Sequence, residues 1–259
     1  MTGRERAIAI SPQRVLRLLL AITAVLVLGH AVVTIAEFGF GRDHALGLRR
    51  LFDFNGEGNA PAWYSSLLFL LGAALLAVVW HERRAEGLRF SRHWAGLALV
   101  FLFLALDEAA SIHEQLIDPV RDALGTGGAF LHAWIIPYGI ALALLLITYL
   151  PFLRALPART LRLLLAAGGV YLAGAVGMEM VGGYVWDRYP VRGIPIIAIM
   201  ALEEALEMVG LAIFAFALLD HLAREHPFVG VRIAASHAGI AGREPPSPGE
   251  LRASTTRAP

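Results

Sequence analysis

Six stretches of this chain are apolar for close to 20 residues at a time, and the polar positions fall between them or gather at their ends. The runs are 15–38, 61–80, 94–111, 129–150, 161–185 and 194–219. About 20 residues at 1.5 Å rise each cover a hydrocarbon core of about 30 Å. The pattern predicts an all-α fold, a polytopic membrane bundle of six transmembrane helices. The first run is too long for the apolar part of a signal peptide and lacks a small-residue cleavage site, so it reads as an uncleaved first span.

Composition agrees. Hydrophobic residues make up 57% of the 259 and charged residues 17%, against about 45–50% and about 25% in soluble domains. Cysteine is absent, which excludes disulfides, thiolate metal sites and cysteine nucleophiles. All 22 basic residues are arginine, so Schiff-base chemistry on lysine is excluded as well. No basic patch interleaved with aromatics is present, and no nucleic-acid partner is expected.

The arginines orient the bundle, because positive charge is retained on the cytoplasmic side. The N-terminal segment holds Arg4, Arg6, Arg14 and Arg17, the second connection Arg83, Arg84, Arg89 and Arg92, and the fourth Arg154, Arg159 and Arg162. The C-terminal tail adds Arg224, Arg232, Arg243, Arg252 and Arg257; the other six lie in the three remaining connections. Both termini are therefore expected in the cytoplasm, with the chain multi-pass in a bacterial inner membrane. Residues 1–225 are expected to form the transmembrane domain. Residues 226–259, ending "REPPSPGELRASTTRAP", have too little apolar surface to offset their ordering entropy and are expected to be a disordered tail.

In that orientation the intramembrane polar groups converge on one level. "FLFLALDEAASIHE" puts Asp107, Glu108, His113 and Glu114 at the outer end of the third run. His132 and Tyr138 open the fourth, Glu179 lies in the outer third of the fifth, and "ALEEALEMVG" puts Glu203, Glu204 and Glu207 in the outer half of the sixth. His30 and Glu37 lie in the outer half of the first; Asp53, Glu57 and Asn59 lie in the connection after it. If the third helix continued to residue 114, Asp107 and Glu114 would share a face, about 20° apart at 100° per residue. Each ionised carboxylate costs roughly 2.5–3.5 kcal/mol at a span centre, so five or six left alone would cost on the order of 10 kcal/mol. No arginine falls in these outer halves, which leaves protons, histidine or a metal ion to neutralise them.

Clustered carboxylates with a few histidines suit Zn²⁺, Fe²⁺ or Mn²⁺, whereas Cu(I) prefers sulfur ligands. Asp107, His113, Glu114, His132, Glu179, Glu203 and Glu207 are the expected ligand set, and Glu108 and Glu204 the expected catalytic general bases. All five of Asp107, Glu114, Glu179, Glu203 and Glu207 are expected to line one cavity. Neither Glu-x-x-His nor His-Glu-x-x-His spacing is present. Trp134, Trp186 and Tyr189 are expected at the membrane interface, and Gly169, Ala173 and Gly177 to let two helices approach closely.

The motifs "FNGEGNAPAWYSS", "LALDEAASIHE" and "LEEALEMVG" together resemble a group of bacterial six-span integral membrane proteins over roughly residues 15 to 220; the resemblance implies the fold and no particular reaction. Glu203–Glu204 are similar to the paired glutamates of membrane lycopene cyclases, without the preceding proline of that motif. Three readings stay open. The first is a metal-dependent membrane enzyme acting on an apolar or lipid-like substrate drawn from the outer leaflet of the bilayer. The second is a proton- or cation-coupled small-molecule transporter, for which the apolar inner halves offer no polar path. The third is a non-catalytic assembly subunit whose polar residues set helix register.

Overall fold

The computed structural model describes residues 11–41, 47–54, 56, 58–191 and 193–225, and no strand occurs among them. The helices are α1 (Pro12–Phe40), α2 (Leu48–Phe52), α3 (Ala60–Ala85), α4 (Ser91–Ala110), α5 (Ile117–Leu124), α6 (Ile135–Arg154), α7 (Ala158–Leu172), α8 (Glu179–Arg188) and α9 (Ile194–Glu225). A π-helical turn, Ala173–Met178, joins α7 to α8 without a break. Residues 226–259, expected as a tail, and Glu57 lie outside the described residues.

Local chemistry sets the helix ends. Pro12 starts α1, where a missing N–H costs nothing, and Gly41 closes it at φ 63°, a left-handed conformation open to glycine. Asn59 caps α3 by accepting from the Ala62 N–H at 3.1 Å. Two expected boundaries move. The apolar run to residue 111 ends as helix at Ala110, because Ser111 adopts φ 48° and reverses the chain. The run from residue 129 begins with a 3₁₀ turn, Gly128–Phe130, and the helix starts only at Ile135.

Among the described residues, five helical segments are long and apolar enough to cross a membrane: α1, α3, α4, α6 and the continuous run Ala158–Arg188. Their outward surfaces are apolar. On α1 the row Leu18, Val25, Leu28, Val32 and Ile35 is about 60% exposed, and on α6 Ile140, Leu144 and Ile147 are similarly bare. Such stripes repel water and fit hydrocarbon. The protein is a multi-pass helical membrane protein.

α9, 32 residues long, is the helix on which α1, α3 and α7 pack. Lipid is as apolar as these side chains, so close packing rather than water expulsion holds the helices together. Two glycines permit close backbone approach to α9. A Cβ on Gly210 would stand 2.6 Å from the Tyr171 nitrogen, and one on Gly174 2.7 Å from the Glu203 carbonyl. These residues draw α7 and the π turn onto α9. Gly169, expected in that role, has open space where its Cβ would be, and Gly177 would meet only its own chain at Leu172. Two apolar clusters fill the interior. One gathers Leu19, Leu26, Leu68, Phe69, Met208 and Leu211; the other gathers Leu76, Val79, Trp94, Phe152 and Leu218.

Candidate functional site

The last turn of α4 supplies Asp107 and Glu108. Because Ser111 turns the chain back, His113 returns over the helix end that it follows. Its backbone N–H donates to Asp107 Oδ1 at 2.7 Å, and its ring Nδ1 stands 3.3 Å from Oδ2. Asp107 thus receives the returning chain through both oxygens, and the expected shared helical face of Asp107 and Glu114 does not form. Glu114 instead begins a 3₁₀ turn, Glu114–Leu116.

The connection between α5 and α6 folds against α8. Gly128 N–H donates to Asp187 at 3.1 Å, and a Cβ on Gly183 would meet the Gly128 carbonyl at 3.2 Å. This docking brings His132 and Trp134 to Glu179, the first residue of α8. His132 Nδ1 lies 2.9 Å from Glu179 Oε1, and Trp134 Nε1 donates to the same oxygen at 2.9 Å. The Trp134 ring also contacts the His113 ring, centroids 4.9 Å apart, so the two His–carboxylate pairs are joined by one indole. The π turn precedes Glu179 directly, and such turns are frequent at functional sites. From α9, Glu203 meets Glu179 side chain to side chain. Two carboxyl groups in hydrogen-bond contact must share a proton.

These groups border one cavity of about 320 Å³, within the usual range for small-molecule sites. Asp107, Glu108, His113 and Glu114 line one side, His132 and Glu179 a second, and Glu203, Glu204 and Glu207 the α9 wall. All nine residues singled out from sequence border it. Phe69 and Tyr171, edge to face at 5.6 Å, close it toward the apolar core. Among the described residues, seven carboxyl side chains and two histidines line the cavity, and no arginine does. A second compartment of about 200 Å³ continues from it between α8 and the start of α9.

His113 and His132 lie in connections outside the apolar helices. Burial opposes the charged His113 imidazole, but the hydrogen bond and charge of Asp107, with Glu108 and Glu114, outweigh it and raise the pKa above the ordinary histidine value. The contact with Glu179 raises that of His132, against the cost of burial.

The expected metal ligands surround the cavity without converging. Among the described residues no group of three or more His, Asp or Glu side chains is disposed to hold an ion. Each histidine nitrogen nearest the carboxylates is engaged by one of them, Asp107 or Glu179. The side chains as arranged do not fit a coordination sphere.

Other expected polar residues serve the scaffold. His30 Nδ1 accepts from the Phe54 N–H at 3.2 Å and its ring stacks on Phe54, tying α1 to the following connection. Arg49 pairs with Glu37 at 3.3 Å and with Asp53 at 3.4 Å. Trp134 and Tyr171 are site residues that sequence reasoning missed, the first because it resembled an interface tryptophan. Also missed was a polar clamp in the region of the second apolar cluster. Buried Asp220 on α9 accepts from Arg159 at 2.8 and 3.2 Å and from Arg224 at 3.0 Å, beside a Thr160–His221 contact.

The fold and cavity together define a helical membrane protein with an acidic, histidine-containing chamber. Residues 18–222 match a family model described as a domain of unknown function, DUF8692, and the chain belongs to that family. No curated protein and no solved structure matches it significantly.

Proposed function

We propose that the protein is a membrane enzyme that performs general acid–base chemistry on a lipid-like substrate taken from the outer leaflet. The observation that carries this reading is the pair of His–carboxylate contacts, His132–Glu179 and His113–Asp107, facing one cavity. A carboxylate held on one ring nitrogen orients the imidazole and favours its protonated form, as a catalytic acid or base requires. In this reading His132 and His113 exchange protons with the substrate; Glu179 and Asp107 position them. Glu203 shares its proton with Glu179, and Glu108 and Glu204 supply further carboxyl groups around the bound molecule. α9 is the sixth span and both termini are cytoplasmic in a bacterial inner membrane, as the arginine distribution supports.

A divalent ion is the second arm of the proposal. Its nitrogen ligands would be the Nε2 atoms of His113 and His132, since their Nδ1 atoms face Asp107 and Glu179. Proton- or cation-coupled transport draws support from the excess of carboxyl groups over histidines, and is opposed by the packed apolar cluster around Trp94 and Phe152. The test is mass spectrometry of a bacterial lipid extract incubated with the full chain in nanodiscs. Wild type converts at least one lipid, and His132→Ala or Glu179→Gln abolishes that conversion while the protein remains folded. A lipid profile unchanged by folded wild type would sink the reading.

A further inference from the structure

The second compartment changes character across one shared wall. His132, Glu179, Met200 and Glu203 border both spaces, so the smaller chamber is the continuation of the acidic one. Its remaining lining is Gly182 and Trp186 from α8, with Ile196 and Ile197 from the first turn of α9. The two isoleucines are almost wholly enclosed, whereas Trp186 is 40% exposed. A charged chamber therefore leads into a more apolar one bordered by a partly exposed tryptophan.

The acidic chamber also holds a carboxyl group that lacks a donor. Glu207 is half-buried and lines the cavity. Its nearest charged neighbours are other carboxyl groups, Glu204, Glu108 and Glu179. Like charges crowded along one cavity wall repel one another. A ligand that brings both donors and positive charge would relieve that repulsion. An ammonium group provides three N–H donors and a compact charge, while a phosphate would be repelled by the same carboxyl groups.

We propose that the two chambers bind one single-chain amphiphile with a protonated amine head, the head beside Glu207 and the alkyl chain between Gly182 and Ile197. The inference rests on the lipid-like substrate class of the preceding reading and specifies its head group. Gly182 is the feature that keeps the chain's path clear: a Cβ there would reach Ile199 at an ordinary 3.5 Å, but a longer side chain would enter the compartment.

The experiment measures binding of butylamine, dodecylamine, dodecanol and dodecyl phosphate to the full chain in nanodiscs, read from the concentration dependence of Tm. Dodecylamine binds tightest of the four. Glu207→Gln weakens it about tenfold or more, the loss expected for a charge-assisted hydrogen bond. Gly182→Leu weakens it at least tenfold, since each methylene denied burial is worth roughly fourfold, and leaves butylamine unchanged. If Gly182→Leu does not fold, Ile197→Phe narrows the same space from the opposite wall and has the same effect. Dodecanol or dodecyl phosphate binding as tightly as dodecylamine overturns the proposal, as does an affinity for dodecylamine indifferent to both narrowing substitutions. Amine binding without lipid conversion would leave this inference standing and remove the enzyme reading; conversion of a lipid without amine binding would do the reverse.

Discussion

His132 Nδ1 and Glu179 Oε1 lie 2.9 Å apart, linking the connection before α6 to the first residue of α8. Trp134 donates to that same oxygen, so one carboxylate meets the connection through an ion-pair contact and a hydrogen bond. Glu179→Gln removes the charge that faces His132 and Trp134. The expected loss is about 1–3 kcal/mol, the range for a buried charged hydrogen bond, seen as a lower Tm in detergent. Trp134→Phe keeps the ring contact with His113 and loses only the donor, so its Tm falls less. Equal falls for the two variants would contradict this assignment.

Stability should respond to pH through the two histidines. Both have folded pKa values raised above the ordinary value of about 6.5. A raised group binds its proton more tightly in the folded state. Its contribution is complete below about pH 6.5 and is lost as pH rises through the folded pKa. Tm measured from pH 6 upward is expected to fall over that window, and Asp107→Asn should flatten the part due to His113. A Tm that climbs with pH through this range would show the sign to be wrong.

Close approach at Gly174 sets where Glu203 and Glu207 stand. An added Cβ would meet the Glu203 carbonyl at 2.7 Å and Glu207 Cγ at 3.0 Å. Overpacking of this kind costs about 1–3 kcal/mol. Gly174→Ala is expected to lower Tm by that amount and to weaken ligand binding, because the α9 wall of the cavity must shift. At Gly169, which has open space, alanine should leave both unchanged.

Metal dependence has a direct thermodynamic signature. An ion bound at 100 times its Kd would add about 2.7 kcal/mol to stability. Because no three His, Asp or Glu side chains among the described residues converge on one point, neither Zn²⁺ nor Mn²⁺ is expected to raise Tm, and a chelator is expected to leave it unchanged. A chelator-sensitive Tm, lost in Glu207→Gln, would restore the metal arm.

The clamp at Asp220 offers a control away from the cavity. Asp220→Asn weakens hydrogen bonds to two arginines whose side chains are about half exposed, so water compensates part of the loss. A fall of about 1–2 kcal/mol is expected, with amine binding and lipid conversion unaltered. Altered binding would mean that the two ends of the bundle are coupled.

Long apolar runs dictate helices that cross a bilayer because hydrocarbon offers the backbone no partners, and that constraint acts on each segment alone. The positions of Asp107, Glu179, Glu203 and Glu207 along their runs follow by counting residues. That they line one chamber was therefore legible in the sequence. Which groups pair was not. Ser111 in a left-handed turn sends His113 back to Asp107, and nothing in "DEAASIHE" distinguishes that reversal from another turn of helix. The docking of Gly128 on α8 is what carries His132 and Trp134 to Glu179, and the contacts of Gly174 and Gly210, rather than Gly169, set the spacing of α9. Hydrophobic periodicity is a property of neighbours along the chain. Proton sharing, donor choice and cavity shape depend on distances of a few ångströms between segments remote in sequence, and only tertiary packing sets those.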